Sequence, residues 1–494
     1  HLPIKMIPEL FKAAGYHTAQ NSGVKDAGKA GKTDYNFVWD QFKWDSNHWK
    51  SCPKDKPFFA VFQMKGGKGR GKDNPKVNPD SVKLPPYYPD LPFFREDWAG
   101  YLGSWLRMDA ELGLAMKELE ESGRLDNTAV FFMTDHGVSH VRGKQFVYEE
   151  GIKVPLIVKL PRGQFAGTTR KDMVSQIDVS ATSLGLAGIT IPSNVQGQDF
   201  MAKDYSPKKA LFTARDRCDE TVEILRSVRT KRFKYIRNFL SYLPHTQPNQ
   251  YKDGKNVMKT MRELHAAGKL NELQDRVFSP TRPTEELYDL KKDPFETVNL
   301  ASDAKHKKTL TAMRKRLYDH MVDSRDLGLI PEPISEDLGK RYGSKFHILT
   351  QPENKTMVRD LINIIDAGEK GNVARLLKGL KDEDPSIRYW AATWLGILKD
   401  TDNSKALIKT TGDSVPVVRV AASLALARLG QPEKGIEIIL DTIEDENWLA
   451  GMYAIRALEW SRVRSPAAQV AVEKARDNPY EFTRRIAKRL SSQF

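Results

Sequence analysis

The stretch from Thr128 to Val158 constrains the fold of this chain more than any other part of the sequence. An apolar run from Ala129 to Met133 has the length of a buried strand, and it stops abruptly at Asp135 and His136. Val154 to Val158 predicts a second buried strand. Because ligands bind just past the carboxyl ends of strands in open α/β sheets, Asp135 and His136 can offer an oxygen and a nitrogen to a cation. Asp-His-Gly by itself also occurs in turns that only close a strand.

The residues that follow Asp135 and His136 give a more specific signal. Gly143-Lys144, then Tyr148-Glu149-Glu150-Gly151 and Val154-Pro155, follow Asp135-His136-Gly137 at a spacing that closely resembles the sulfatase family of the alkaline-phosphatase-like superfamily. The resemblance implies that Asp135 and His136 hold a divalent cation, most often Ca²⁺. It also implies that Lys144 contacts the sulfate, as a compact point charge.

Further phrases extend the resemblance over about residues 3–332. The phrase Pro85-Pro86-Tyr87-Tyr88-Pro89-Asp90 resembles heparan N-sulfatase (sulfamidase)-like members. Lys32 falls at the family's second active-site lysine, although Asp34 replaces the usual His. Arg142 is a second cation beside Lys144 for substrate binding. His140 is close enough in sequence to act as an acid on the leaving group, and a structural histidine explains it equally well.

The family's nucleophile is a formylglycine made from the Cys or Ser that opens a Cys/Ser-x-Pro/Ala-x-Arg motif. Neither Cys52, Cys218 nor any Ser of this sequence fits that motif. In the family, the motif and an opening strand with two metal carboxylates lie upstream of the position of His1. We therefore expect this chain, as given, to be N-terminally truncated and inactive. We also expect its sheet to be open where that strand belongs.

The last third of the sequence is repetitive. Leu395, Leu426, Leu458 and Leu490 recur every 31 or 32 residues, which is typical of helical hairpins of the HEAT type. Such solenoids bind other macromolecules or pack on an adjacent domain, and we expect this one to fold as a separate stable unit. The loop from Arg215 to Glu220 either lines the substrate entrance or, as we expect, forms a surface salt-bridge cluster.

The predicted fold is therefore α/β, with an alkaline-phosphatase-like mixed sheet flanked by helices and a small C-terminal sheet, followed by an all-α HEAT-type solenoid. The predicted divisions are a catalytic core over residues 1–205, a C-terminal subdomain over 206–332, a linker over 333–355 and repeats over 356–494.

The predicted function is hydrolysis of sulfate esters or N-sulfates on carbohydrate. The alternatives are a phosphate or phosphonate ester hydrolase of the same superfamily and a non-catalytic binder of sulfated glycans that works through its solenoid. The net charge of +14 favours anionic partners. No nucleic-acid motif and no membrane-length apolar run is present. The repeats offer a site for a protein partner, and the family resemblance implies a periplasmic or secreted protein.

Overall fold

The short apolar runs of the sequence form the strands of the computed structural model, which describes residues 4–22, 43–64, 71 and 73–494. The strands are β1 (His17–Ser22), β2 (Phe58–Gln63), β3 (Val130–Met133), β4 (Leu156–Lys159), β5 (Leu211–Arg215), β6 (Leu225–Arg229), β7 (Phe233–Asn238) and β8 (Glu285–Asp289). The two predicted strands, Ala129 to Met133 and Val154 to Val158, correspond to β3 and β4 to within two residues at either end.

The strands of the N-terminal part form two separate ladders. β1 pairs with β2 in parallel, with His17 opposite Phe58, and β3 pairs with β4 antiparallel, with Val130 opposite Lys159. Within the described ranges, no strand pairs with the outer edge of β2 or of β3. A cleft of about 2100 Å³ lies between them and is lined by every residue of both strands. The expectation that the sheet is open where a strand is missing stays a prediction.

Helices cover these ladders and connect the two sheets. They are α1 (Ile7–Ala13), α2 (Pro92–Glu121), α3 (Glu149–Ile152), α4 (Gln176–Leu186), α5 (Gln250–Asp253), α6 (Asn256–Ala266), α7 (Glu272–Asp275) and α8 (Lys307–Asp323). Helix α2 begins at Pro92, because proline is well placed in a first helical turn, where its missing N–H costs nothing. No helix of the described residues is long and apolar enough to span a bilayer.

The small C-terminal sheet is antiparallel in the order β5-β6-β7-β8. The helices that follow it are α9 (Glu332–Arg341), α10 (Lys345–Ile348), α11 (Met357–Glu369), α12 (Val373–Gly379), α13 (Pro385–Leu398), α14 (Ser404–Thr410), α15 (Pro416–Arg428), α16 (Ile436–Thr442), α17 (Trp448–Ser461), α18 (Pro466–Ala475) and α19 (Glu481–Ser491). The four repeated leucines are each 0% exposed, so the period in the sequence marks the inner faces of stacked hairpins.

The helical array is not a separate unit, in contrast to our expectation. One hydrophobic core runs without a break from Val228 of β6, through Leu317 of α8, to Leu426 of α15. The predicted linker is itself folded, because residues 332–341 and 345–348 are helical and Ile334 and Ile348 are part of this core. The array therefore packs on the adjacent sheet, which is one of the two uses of a solenoid that the sequence left open.

The loop after β5 forms the polar part of this junction. Glu220 is 0% exposed, and its carboxylate lies 3.4 Å from Nη1 of Arg489 on α19. Arg217 pairs with Glu332 at the start of α9. The loop forms a salt-bridge cluster as expected, but only part of it lies at the surface: the Asp216 side chain is 54% exposed, whereas Glu220 is fully buried beneath the helical array.

Candidate active site

The segment between β3 and β4 is held by close approaches of its own backbone. The Gly137 N–H donates to the carbonyl of Gly151 at 2.9 Å, and the Lys144 N–H donates to the carbonyl of Val138 at 2.7 Å. A Cβ atom on Gly137 would lie 1.8 Å from the oxygen of Glu150, and one on Gly143 would lie 1.8 Å from the oxygen of Val138. Only glycine fits at these two positions, and the loop presents Lys144 from a fixed backbone.

Asp135 and His136 lie at the end of β3, on the wall of the large cleft. The Asp135 side chain is 82% exposed, and its Oδ2 lies 3.3 Å from Nε2 of His136. His136 Nδ1 lies 2.7 Å from the Gly137 carbonyl oxygen. This adjacent carboxylate and imidazole are suitable ligands, but no group of three metal-binding side chains occurs among the described residues. Since Ca²⁺ takes about 6–8 oxygen ligands, these two residues form at most part of a site.

Lys144 is half-buried on the loop, and its Nζ lies 5.0 Å from the ring centroid of Tyr251. Tyr251 is fixed in turn, since its hydroxyl lies 2.9 Å from Oγ of Ser139. No carboxylate of the described residues forms an ion pair with Lys144. The ammonium group is positioned by a rigid loop and an aromatic ring and can contact an anion.

His140 is buried beneath this loop. Its Nε2 lies 2.6 Å from Oδ2 of Asp97, and its ring stacks on Trp98 at 4.8 Å. Only 4% of the residue is exposed. This environment suits a structural histidine, and its role as an acid stays a prediction.

Arg142 is also buried, and its partners are structural. The guanidinium donates to the carbonyls of Phe295 and Glu296 at 3.3 and 3.0 Å. It also stacks between Tyr87 and Tyr148, with Cζ 4.6 and 4.0 Å from the two ring centroids. The predicted contact of Arg142 with substrate stays a prediction, and the structure shows the residue joining the loop to the strand-rich C-terminal part.

Lys32 and Cys52 are two further residues of the sequence analysis. Lys32 and its neighbours lie outside the described residues. Cys52 is buried, and its thiol donates to the carbonyl oxygen of Lys56 at 3.4 Å, which suits a packed side chain. The sequence analysis missed Lys252, whose Nζ donates to the carbonyl of His140 at 2.5 Å. Nothing in the sequence around Lys252 signals that contact, because the two residues are 112 positions apart.

Glu150 shows how strongly the loop is buried. Tyr88 donates to its Oε1 at 2.9 Å, which joins the Pro-Pro-Tyr-Tyr-Pro-Asp phrase to the Tyr-Glu-Glu-Gly phrase. Burial raises the pKa of Glu150 to about 7, against the opposing effect of the Tyr88 hydrogen bond. The two phrases that carried the resemblance are therefore in direct contact.

Comparison with known proteins agrees with this geometry. The sulfatase family model matches residues 2–189, and the model for the C-terminal part of N-sulphoglucosamine sulphohydrolase matches residues 136–279. Over residues 2–279, the part that these two models match, the chain belongs to the sulfatase family. A model for HEAT repeats matches residues 373–435, which lie in the helical array. The predicted family, fold class and repeat type are confirmed.

An ulvan-active sulfatase of Formosa agariphila is 29% identical over 374 residues, which are 67% of this chain and 61% of that protein. The human N-sulphoglucosamine sulphohydrolase is 26% identical over 295 residues, which are 56% of this chain and 59% of that enzyme. The chain thus spans about three fifths of the length of these two relatives. A solved 2-O GAG sulfatase aligns at 18% identity and a TM-score of 0.44, over 66% of this chain and 76% of that one. Sulfatases are generally metal-dependent.

Proposed function

We propose that this protein is a sulfuric ester or N-sulfate hydrolase that acts on sulfated carbohydrate. The observation that carries the proposal is the placement of Lys144. The loop whose backbone packs closely at Gly137 and Gly143 presents this lysine half-buried, and no carboxylate of the described residues pairs with it. The relatives named for ulvan and for N-sulphoglucosamine support a sulfated polysaccharide as the substrate.

Each proposed residue has a defined task. Lys144 contacts sulfate oxygens and favours the transition state as negative charge shifts onto them. Lys32 assists it. Asp135 and His136 contribute two ligands to a divalent cation, which we propose to be Ca²⁺, and that cation supplies Lewis-acid stabilisation of charge when bound. His140 donates a proton to the leaving group. Arg142 binds the substrate together with Lys144 and Lys32.

The metal proposal has its own test. Two ligands cannot hold Ca²⁺ tightly, so we expect this chain to bind it with a dissociation constant weaker than about 1 μM. Titration calorimetry measures that constant, with Asp135→Ala as the variant and Asp126→Ala as a control outside the site. Binding tighter than that value by the chain as given would contradict the two-ligand site.

Release of sulfate by the full gene product tests the hydrolase itself. We expect inorganic sulfate to appear from sulfated polysaccharide, and the comparison of ulvan with N-sulfated glucosamine oligosaccharides separates ester from N-sulfate cleavage. An aryl phosphate tests the phosphatase alternative. Retained glycan binding without any release of sulfate would contradict the proposal and favour the non-catalytic binder. We further propose that the protein works in the periplasm or outside the cell.

A further inference from the structure

Phe146 brings two cations from distant parts of the chain together, just beyond Lys144. Cζ of Arg215 lies 4.5 Å from the centroid of the Phe146 ring, and Nζ of Lys252 lies 5.3 Å from it. The ring of His245 stacks on the same phenyl group at 4.2 Å. Arg215 ends β5 and Lys252 lies in α5, so the tertiary fold alone gathers these charges beside the loop.

Two of the three nitrogens of the Arg215 guanidinium lack a hydrogen-bond partner among the described residues. Its Nε and Nη1 atoms are buried, and neither has a hydrogen-bond partner. Lys252 is 5% exposed and uses one donor, on the carbonyl of His140. Over the described ranges, no ion pair joins either residue to a carboxylate. Buried cations without a counter-charge are costly, so this arrangement calls for compensation.

The nearby carboxylates are bound elsewhere. Glu223 lies 2.6 Å from Nη2 of Arg282 and also accepts from the Ile224 N–H at 2.9 Å. Glu150 accepts from Tyr88. The excess positive charge is visible at Lys252, where burial and then Arg215 lower the pKa to about 7. An anion from outside the protein would supply the missing charge.

The residues next to these cations on the Lys144 loop are partly exposed. Lys144, Gln145 and Cys218 are half-buried, and Nε2 of Gln145 donates to the Cys218 sulfur at 2.9 Å. Gln145 has a positive φ of 77°, a conformation that costs free energy for a residue other than glycine and is often found at functional sites. This strained residue lies between Lys144 and Phe146, whose ring contacts the two deeper cations.

We propose that Arg215 and Lys252, with Lys144 at the rim, form a pocket for a compact oxyanion group of the sugar, a sulfate or a carboxylate. The oxyanion accepts hydrogen bonds from the free donors of Arg215 and Lys252, in the charge-assisted geometry that guanidinium groups favour. The assignment of the oxyanion to a sugar rests on the proposed function, whereas the pocket itself does not. Arg215 and Lys252 are binding residues, distinct from those that touch the cleft at Asp135.

Thermal unfolding and titration calorimetry of the full chain test the pocket without any turnover. The probes are sodium sulfate and sodium glucuronate at low millimolar concentration, with sodium chloride at equal ionic strength. The variants are Arg215→Met and Lys252→Met, and the matched controls are the exposed residues Arg316→Met and Lys259→Met. Low concentrations matter because sulfate at high concentration stabilises proteins by exclusion from their surface.

We expect sulfate or glucuronate, but not chloride, to raise the Tm of the wild type and of both controls. Each pocket variant should weaken binding by about tenfold or more, which is the loss of one charge-assisted hydrogen bond. Without an anion, each pocket variant should keep or raise its Tm, because it removes an uncompensated buried charge. The preference between the two probes identifies the group as a sulfate or a carboxylate.

Three results would overturn the pocket: equal shifts by chloride, unchanged binding in both pocket variants, or a large loss of Tm in Arg215→Met without an anion. The last would show that Arg215 has a structural partner. If the anion-binding experiments fail while the full gene product releases sulfate, only the pocket is contradicted. If the anion binds in the pocket but the full gene product releases no sulfate, only the proposed hydrolase is contradicted.

Discussion

Arg456 of α17 donates to the main-chain carbonyl of Glu220 at 2.7 Å, although the two residues are 236 positions apart. Its other terminal nitrogen donates to Oε1 of Gln247 at 2.6 Å. Arg456 is 4% exposed, so both bonds are made away from water. This one guanidinium joins the helical array to the loop after β5 and to the segment between β7 and α5.

Replacing Arg456 tests whether the two parts unfold together. Arg456→Met leaves a buried carbonyl and a buried amide without a donor, so we expect a loss of about 2–4 kcal/mol in the free energy of unfolding. Urea titration should show one transition, because the core is continuous. Arg476→Ala removes an exposed pair with Glu473 and should leave the stability close to that of the wild type. Two separated transitions in the wild type would argue for independent units.

A single methyl group tests the loop that presents Lys144. Gly143→Ala places a Cβ against the Val138 oxygen, so the backbone must move and Lys144 must move with it. We expect a loss of about 1–3 kcal/mol in stability and weaker sulfate binding. Gly113→Ala is the control, since a Cβ there has no atom within 4 Å and helix α2 gains about 1 kcal/mol from alanine. Equal changes in stability and in sulfate binding in the two variants would contradict the crowding at Gly143.

Removal of the Lys144 charge tests its role in turnover. In the full gene product, Lys144→Ala should lower turnover by about 10²–10³-fold, the cost of one lost electrostatic contact in a transition state. The Tm should stay close to that of the wild type, because the side chain is half-buried and has no ion pair among the described residues. Lys153→Ala, an exposed lysine after the same loop, is the control. An unchanged rate with normal metal content would remove Lys144 from the site.

Anion binding should weaken as the pH rises through about 7. The charged groups that act on Lys252 are Arg215, Glu150, Lys144 and Cys218, and the pKa of Lys252 is lowered to about 7. Burial raises the pKa of Glu150 to the same region, so Lys252 loses positive charge while Glu150 gains negative charge. We expect about tenfold weaker sulfate binding at about pH 8 than at about pH 6. Lys252→Met should flatten this profile.

The same lowered pKa has a consequence for stability. Because the folded-state pKa of Lys252 lies below the ordinary 10.5, the charged side chain destabilises the folded state fully below about pH 7. That penalty disappears as the pH rises from about 7 toward 10.5. The stability gained by Lys252→Met should therefore be largest at acidic pH, as urea titrations at several pH values can show. A stability gain from Lys252→Met that increases with pH would contradict this prediction.

No described strand pairs with the outer edge of β2 or of β3, and we therefore predict that copies of the chain associate. Val61 is 37% exposed and Met133 is 43% exposed, both on the wall of the cleft. Unpaired strand edges with apolar side chains pair with other chains, so we expect concentration-dependent association in sedimentation experiments. Val61→Lys should reduce it. Val470→Lys, at an apolar residue on α18 that is 69% exposed, should not.

The sequence by itself determined the features that depend on neighbours along the chain. The 31- and 32-residue period identified the buried leucines, because each helical hairpin repeats the same local packing. The apolar runs located the strands. The Asp-His-Gly and Gly-Lys phrases identified the loop, because the close approaches at Gly137 and Gly143 involve residues no more than 14 positions away.

Only the tertiary structure decided which distant side chains meet. The partners of Arg142, His140 and Lys252 lie on other elements of the chain, and no local pattern encodes such contacts. The charged residues from Arg215 to Glu220 have the composition of a surface loop, yet the helical array covers Glu220 and Phe146 stacks on Arg215. Burial changes what a charge does: in water it is solvated, whereas under a packed domain it needs a partner or a ligand. That distinction depends on which surfaces the chain brings together, and the order of the residues alone does not state it.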